Sequence, residues 1–160
     1  MEKEVVSNSS SLIFLAKLDI INLAKNLFSA ILIPKQVFNE IFNKRMLENI
    51  LLEKEVGKFL IVRNVKNVKD FSLDIGEQAA ISLCLQEKKK TFLSDDKKAR
   101  ILARNLEIEV IGVLGILLWN LKNNKIKKDV CLNLLNKLMN KGYYMSPELY
   151  SDIFSEINDT

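Results

Sequence analysis

The chain has 160 residues, 48% of them hydrophobic, with only five glycines and two prolines. That balance excludes collagen-like, low-complexity and disordered classes and favours one domain over two undersized ones. Lys and Arg number 24 against 20 Asp and Glu, and the net charge of +4 permits a polyanionic partner without requiring one. Histidine is absent, which removes Ser-His-Asp triads, Cys-His dyads, imidazole proton shuttles and imidazole metal ligands.

The predicted elements alternate strand and helix. Glu4 to Ser7 opens the chain as a short apolar strand, and Leu12, Leu15, Ala16 and Leu18 then share one helical face. A second strand covers Ala30 to Ile33; Pro34 stands where a helix's first turn tolerates it, ahead of the stripe Val37, Phe38, Ile41, Phe42. Phe59 to Val62 is a third strand, followed by a polar loop over 64–73. Asp74-Ile75-Gly76-Glu77 has the spacing of a capping box and precedes an Ala-rich helix. Thr91 to Ser94 and Ile108 to Ile111 are the last two strands, with a basic helix between them beginning after Asp95-Asp96. Three helical stretches, about 113–122, 128–140 and 147–157, close the chain.

Short, nearly continuous apolar strands separated by helices predict a parallel sheet of about five strands covered on both faces. The expected architecture is a three-layer α/β/α domain spanning 1–160, with a C-terminal helical extension over about 113–157. The opening Met1-Glu2-Lys3-Glu4 has no basic stretch leading into a long apolar one, and the run from Val110 to Trp119 is about half a membrane span. A cytoplasmic protein without a membrane partner is the expectation. Cys84 and Cys131 form no CxxC pair, so they read as buried reduced thiols rather than a zinc or redox centre.

In open α/β sheets ligands sit beyond the carboxyl ends of the strands, where strand order reverses. Asn8-Ser9-Ser10-Ser11 follows the first strand, and Asp95-Asp96 follows the fourth. If those strands are adjacent, Asn8 and Asp95 are neighbours. Glu40, after the second strand, and Glu77, before the fourth, complete a set of oxygen donors without nitrogen or sulfur. Such a set suits Mg²⁺ or Mn²⁺. No Gly-x-Ser-x-Gly elbow, P-loop or dinucleotide glycine fingerprint occurs.

The blocks Val5-Val6-Ser7-Asn8-Ser9-Ser10-Ser11-Leu12-Ile13, Ile33-Pro34 with Val37 and Glu40, Gly76-Glu77-Gln78-Ala79-Ala80-Ile81, Leu93-Ser94-Asp95-Asp96-Lys97-Lys98-Ala99-Arg100 and Val110-Ile111-Gly112-Val113-Leu114-Gly115 follow one another in register. Together with Gly142-Tyr143-Tyr144-Met145-Ser146-Pro147, they resemble a prokaryotic subfamily of PIN-domain proteins over nearly the whole chain. The resemblance implies a metal-dependent endoribonuclease, often the toxin of a toxin–antitoxin pair, and commonly a homodimer. Carried over position by position, it implies metal ligands at Asn8, Glu40, Glu77 and Asp95, flanked by Asp96, with Asp95, Glu40 and Glu77 as the catalytic carboxylates. It departs from the family at two places: Asn8 stands where most members carry Asp, and the polar residue often found near Val113 is missing. A PIN-like module that binds RNA or a protein without cleaving is therefore the alternative.

For the nuclease reading, Ser9 and Ser10 at a helix N-terminus are candidate phosphate ligands, and Lys97, Lys98, Arg100 and Arg104 are candidate contacts to flanking RNA phosphates. Structural roles stand beside these. Glu77 suits the third position of a capping box, one of Asp95 and Asp96 suits the N-cap of the next helix, and Glu40 suits a solvated rim. Asn8 and the serines suit caps and turns. Lys88 to Lys90 and Lys122 to Lys128 read as solvated helix ends. Trp119, Tyr143 and Tyr144 read as core or interface, and no aromatic–basic stacking platform stands out.

Overall fold

The computed structural model describes residues 4–160; Met1 to Lys3, on which the N-terminal reading partly rests, lie outside the described residues. Five strands, β1 (Glu4–Ser7), β2 (Ala30–Pro34), β3 (Leu60–Arg63), β4 (Thr91–Leu93) and β5 (Glu109–Ile111), form one parallel sheet in the order β3-β2-β1-β4-β5. Val5 and Val6 in β1, Ile31 to Ile33 in β2 and Phe92 and Leu93 in β4 are all buried. These central strands are covered on both sides, which is why they read as unbroken apolar runs. At the edges, β3 and β5 keep partly exposed residues.

The helices are α1 (Ser9–Lys17), α2 (Ile21–Lys25), α3 (Lys35–Phe42), α4 (Leu47–Glu53), α5 (Ile75–Gln86), α6 (Lys97–Asn105), α7 (Val113–Lys122), α8 (Lys128–Asn140) and α9 (Pro147–Asn158). They flank the sheet as a three-layer α/β/α fold. The last three match the expected stretches to within a residue at α9. Two helices are additional to the sequence reading. α2 and α4 are too short to show a full apolar stripe, and neither has a side-chain cap, so they carried no start signal. The fifth strand begins one residue later than expected, because the Ile108 N–H donates to Ala103 O at 2.9 Å and closes the preceding turn instead of joining the ladder.

The capping box expected at Asp74 does not form. Asp74 is the N-cap residue of α5, but its side chain accepts no cap hydrogen bond. Asp96 does cap: its Oδ1 accepts from Ala99 N–H at 2.8 Å. Cys84 and Cys131 are both buried and no disulfide joins them; burial pushes the Cys131 thiol up to about 11. In the helical layer, buried Asn120 ties α7 to the α2 region. Its Nδ2 donates to Leu23 O and Ile116 O, and its Oδ1 accepts from Asn26 Nδ2 at 2.7 Å. Among the described residues no helix is long and apolar enough to cross a membrane.

Candidate functional site

Strand order reverses between β1 and β4, so the crevice past their carboxyl ends is the place where this fold admits a ligand. The Asn8 N–H donates to Leu93 O at 3.3 Å and stitches the two strand ends together. The Asn8 side chain is only 1% exposed. Its Nδ2 donates to Ser94 Oγ at 2.8 Å, and its Oδ1 accepts from Ser10 Oγ at 3.2 Å. Ser94 Oγ also accepts from the Asp96 N–H at 3.2 Å. The amide is thus spent on framework contacts at both ends, and its donor half is one that a carboxylate lacks.

Asp95 is held by donors from three elements. Ser11 Oγ donates to Oδ2 at 2.6 Å, Tyr143 Oη donates to Oδ1 at 2.7 Å, and the Val113 N–H reaches both oxygens at 3.1 and 3.3 Å. A carboxylate offers about four acceptor directions, so three donors leave little of Asp95 open. A Cβ on Gly112 would collide with the Asp95 carboxylate and lie 2.8 Å from Arg100 Nη1. That glycine is the space in which the carboxylate sits. Burial, then the Asp95 charge and the hydrogen bond to it, raise the Tyr143 phenol well above its ordinary range, with Arg100 opposing. Arg100 also spends an N–H on Ser94 O at 2.7 Å.

Glu40 and Glu77 meet over a second glycine. A Cβ on Gly76 would lie 2.6 Å from Glu40 Cδ, so the bare helix start of α5 gives the Glu40 carboxylate its room. Ser9 Oγ donates to Glu40 Oε2 at 2.9 Å. Glu77 Oε2 is buried without a hydrogen-bond partner. Its pKa is raised, first by burial, with its own backbone N–H opposing, and then by the charges of Glu40, Asp96 and Asp74. Glu77 stands where two clefts meet. One, about 560 Å³, is lined by Ser9, Lys17, Glu40, Asp74 and Glu77 among others. The other, about 780 Å³, includes Ser10, Glu77, Asp95, Asp96, Lys97 and Arg100.

The five oxygen-bearing positions therefore divide. Glu77 is beside Glu40 and feels Asp96, while Asp95 is saturated by Ser11, Tyr143 and Val113, and Asn8 braces Ser94 and Ser10. Among the described residues no group of three or more acidic or cysteine side chains is drawn into a metal-ready cage. The chemistry of the Glu77 corner nonetheless fits a hard divalent cation. An unpartnered buried oxygen, a second carboxylate beside it and a raised pKa all describe negative charge without a counter-charge.

Ser9 and Ser10 face Glu40 and Asn8. Lys97 and Arg100 line the larger cleft together with Arg104; Lys98 is exposed and outside that lining. Sequence reasoning missed the roles of Ser11, Ser94, Gly76, Gly112 and Tyr143. For Tyr143 the available signal was Gly142, whose φ of +95° sets up the turn that carries the tyrosine back to the sheet.

A family model described as a PIN domain matches residues 4–159. No curated relative and no solved structure matches the chain.

Proposed function

The chain belongs to the PIN-domain family, whose fold is of the nuclease type, and from that premise we propose that it is an endoribonuclease dependent on Mg²⁺ or Mn²⁺. The observation that carries this reading is the buried, unpartnered Glu77 Oε2 beside Glu40. Like charges packed in a partly desolvated corner favour a cation there.

In this reading Glu40, Glu77 and Asp96 are the principal ligands. Asp96 keeps Oδ2 for the task, since Oδ1 is occupied by its cap bond. When bound, a divalent ion supplies an acidified water and positive charge for the leaving oxygen of a phosphodiester, so a missing histidine is no obstacle. Ser9 orients Glu40. Asp95, with Ser11, Tyr143 and Val113, fixes the strand end from which Asp96 projects, and Asn8 fixes the neighbouring one. Lys97 and Arg104, exposed along the cleft, attract the phosphates of the substrate strand. A toxin role, countered by an antitoxin protein, and a homodimeric state belong to the same proposal; growth arrest on induction, relieved by the product of a neighbouring small gene, tests the first.

The test is incubation with structured and unstructured RNA in Mg²⁺, Mn²⁺ or EDTA. Cleavage is expected with metal and not with EDTA, nor with Glu40→Gln plus Glu77→Gln. Metal-independent cleavage, or cleavage that survives the double substitution, overturns the mechanism.

A second reading, a PIN module that binds RNA without cutting it, is favoured by one observation: the Asn8 amide is committed to Ser94 and Ser10. Titration calorimetry with Mn²⁺ separates the two. Retained RNA binding with no heat of metal binding selects the second.

A further inference from the structure

We propose that Tyr144 and the Lys97–Arg100–Ile101–Arg104 face of α6 form a track for a single-stranded polynucleotide, with Tyr144 stacking on one unpaired base. The inference rests on the nucleic-acid reading above and adds to it a binding residue.

The backbone explains why Tyr144 is where it is. At the end of α8 the Gly142 N–H donates to Met139 O at 3.0 Å and the Tyr143 N–H to Leu138 O at 3.2 Å. With Gly142 at a φ of +95°, this is a Schellman turn, and glycine is the residue that takes the left-handed position without strain. Tyr143 is then anchored inward. Its hydroxyl is on Asp95 and its ring meets the Phe14 ring edge to face, with centroids 5.2 Å apart. With Tyr143 fixed, its neighbour is turned outward: Tyr144 is 84% exposed.

An aromatic ring so exposed adds almost nothing to a core, yet this one lines the cleft that reaches Glu77 and Asp96. Lys97, Arg100, Ile101 and Arg104 line the same cleft, and their spacing along α6 puts them on one helix face. Ile101 is itself 48% exposed. Cations in a row beside an exposed ring and an aliphatic patch match a chain of phosphates carrying flat apolar bases. A base in a duplex has both faces covered by its neighbours, whereas an unpaired base has a face to offer, so the arrangement selects single strands.

The experiment is fluorescence anisotropy in EDTA, where binding is read without cleavage, using a labelled single-stranded RNA of about 12 nucleotides and its duplex. Wild-type protein is expected to prefer the single strand. Tyr144→Ala should weaken that binding about tenfold, with Tyr144→Phe restoring it and duplex binding unmoved. Arg104→Ala should flatten the salt dependence for both ligands. Three results overturn the inference: Tyr144→Ala binding the single strand like wild type, equal loss for strand and duplex, or a shift from dimer to monomer in sedimentation, which would make Tyr144 a protein contact. Parallel cleavage assays keep the two claims apart. Tyr144-dependent binding without cleavage in any metal sinks only the nuclease reading, and metal-dependent cleavage indifferent to Tyr144 sinks only this one.

Discussion

The Tyr143 hydroxyl donates to Asp95 Oδ1 at 2.7 Å, joining two residues 48 positions apart. The contact fastens the turn between α8 and α9 to the end of β4, and with the bonds from Ser11 and Val113 it makes Asp95 a structural hub. Hydrogen bonds to charged groups contribute about 1.5–3 kcal/mol, and Ser11 and Val113 continue to hold Asp95 once the phenol is gone. Tyr143→Phe should therefore cost about 1–2 kcal/mol in a denaturant titration, with RNA cleavage reduced as the cleft wall loosens.

The same pair sets a prediction at alkaline pH. The folded phenol titrates well above the ordinary value of 10.0, so the folded state holds its proton where the unfolded chain has released it. The stabilisation is whole below that ordinary value and is lost as pH rises above it. Phenolate absorbance should show a step well above the ordinary value, and Tyr143→Phe should abolish that step.

Glu77 gives a pH dependence of the same sign in the acid range. Its folded pKa lies above the ordinary 4.5, so across that window the folded state binds more protons than the unfolded one. Stability without metal should fall as pH rises from 4.5 through the raised value. Glu77→Gln removes the penalty and should raise the melting temperature of the metal-free protein at neutral pH. Mn²⁺ reverses the order: at one hundred times its dissociation constant it should stabilise wild type by about 2.7 kcal/mol and Glu77→Gln far less. Equal metal-induced shifts in the two proteins would remove Glu77 from the ligand set.

Much of this was written in the chain. Unbroken apolar runs at β1, β2 and β4 announce strands buried on both faces, and the alternation with helices leaves the crevice after β1 and β4 as the ligand position. Adjacency of β1 and β4, which the pattern leaves as a condition, is met, and it sets Asn8 against Leu93 and Ser94, while Asp95 turns to Ser11, Val113 and Tyr143. Asp95 and Asp96 both have the residue type for the cap of α6, and the bond from the Ala99 N–H gives that role to Asp96. The grouping of Glu40 with Glu77 is an expectation of the sequence, but the space that lets them approach is not legible there. It depends on an absent side chain at Gly76, and a missing Cβ has no periodicity to read. Tyr143 reads as core or interface in the sequence because its partner, Asp95, lies beyond the end of a distant strand.

Gly76→Ala tests that missing Cβ. Replacing glycine by alanine inside a helix ordinarily stabilises by about 0.5–1 kcal/mol. Here the new methyl would meet the Glu40 carboxylate, whose Cδ is 2.6 Å from its position. The carboxylate must swing off Ser9, so the helix gain should be offset or reversed, and Mn²⁺ binding should weaken about tenfold or more. A variant that is more stable and binds Mn²⁺ normally would show that Glu40 does not need this position.

Asn8→Asp restores the residue type that most PIN domains carry, and its outcome follows from two opposed effects. The aspartate cannot donate to Ser94 Oγ, which loses the 2.8 Å bond from Nδ2, and it buries a charge at a site only 1% exposed. The Ser94 hydroxyl can turn to donate to the new carboxylate, but a charge buried there without a cation is costly, so the metal-free variant should melt below wild type. A divalent ion beside Glu77 and Asp96 would find one more negative ligand, and Mn²⁺ affinity should rise. Calorimetry and melting curves measured with and without Mn²⁺ read both effects. Lower stability with unchanged metal affinity would show that position 8 serves only to join β1 to β4.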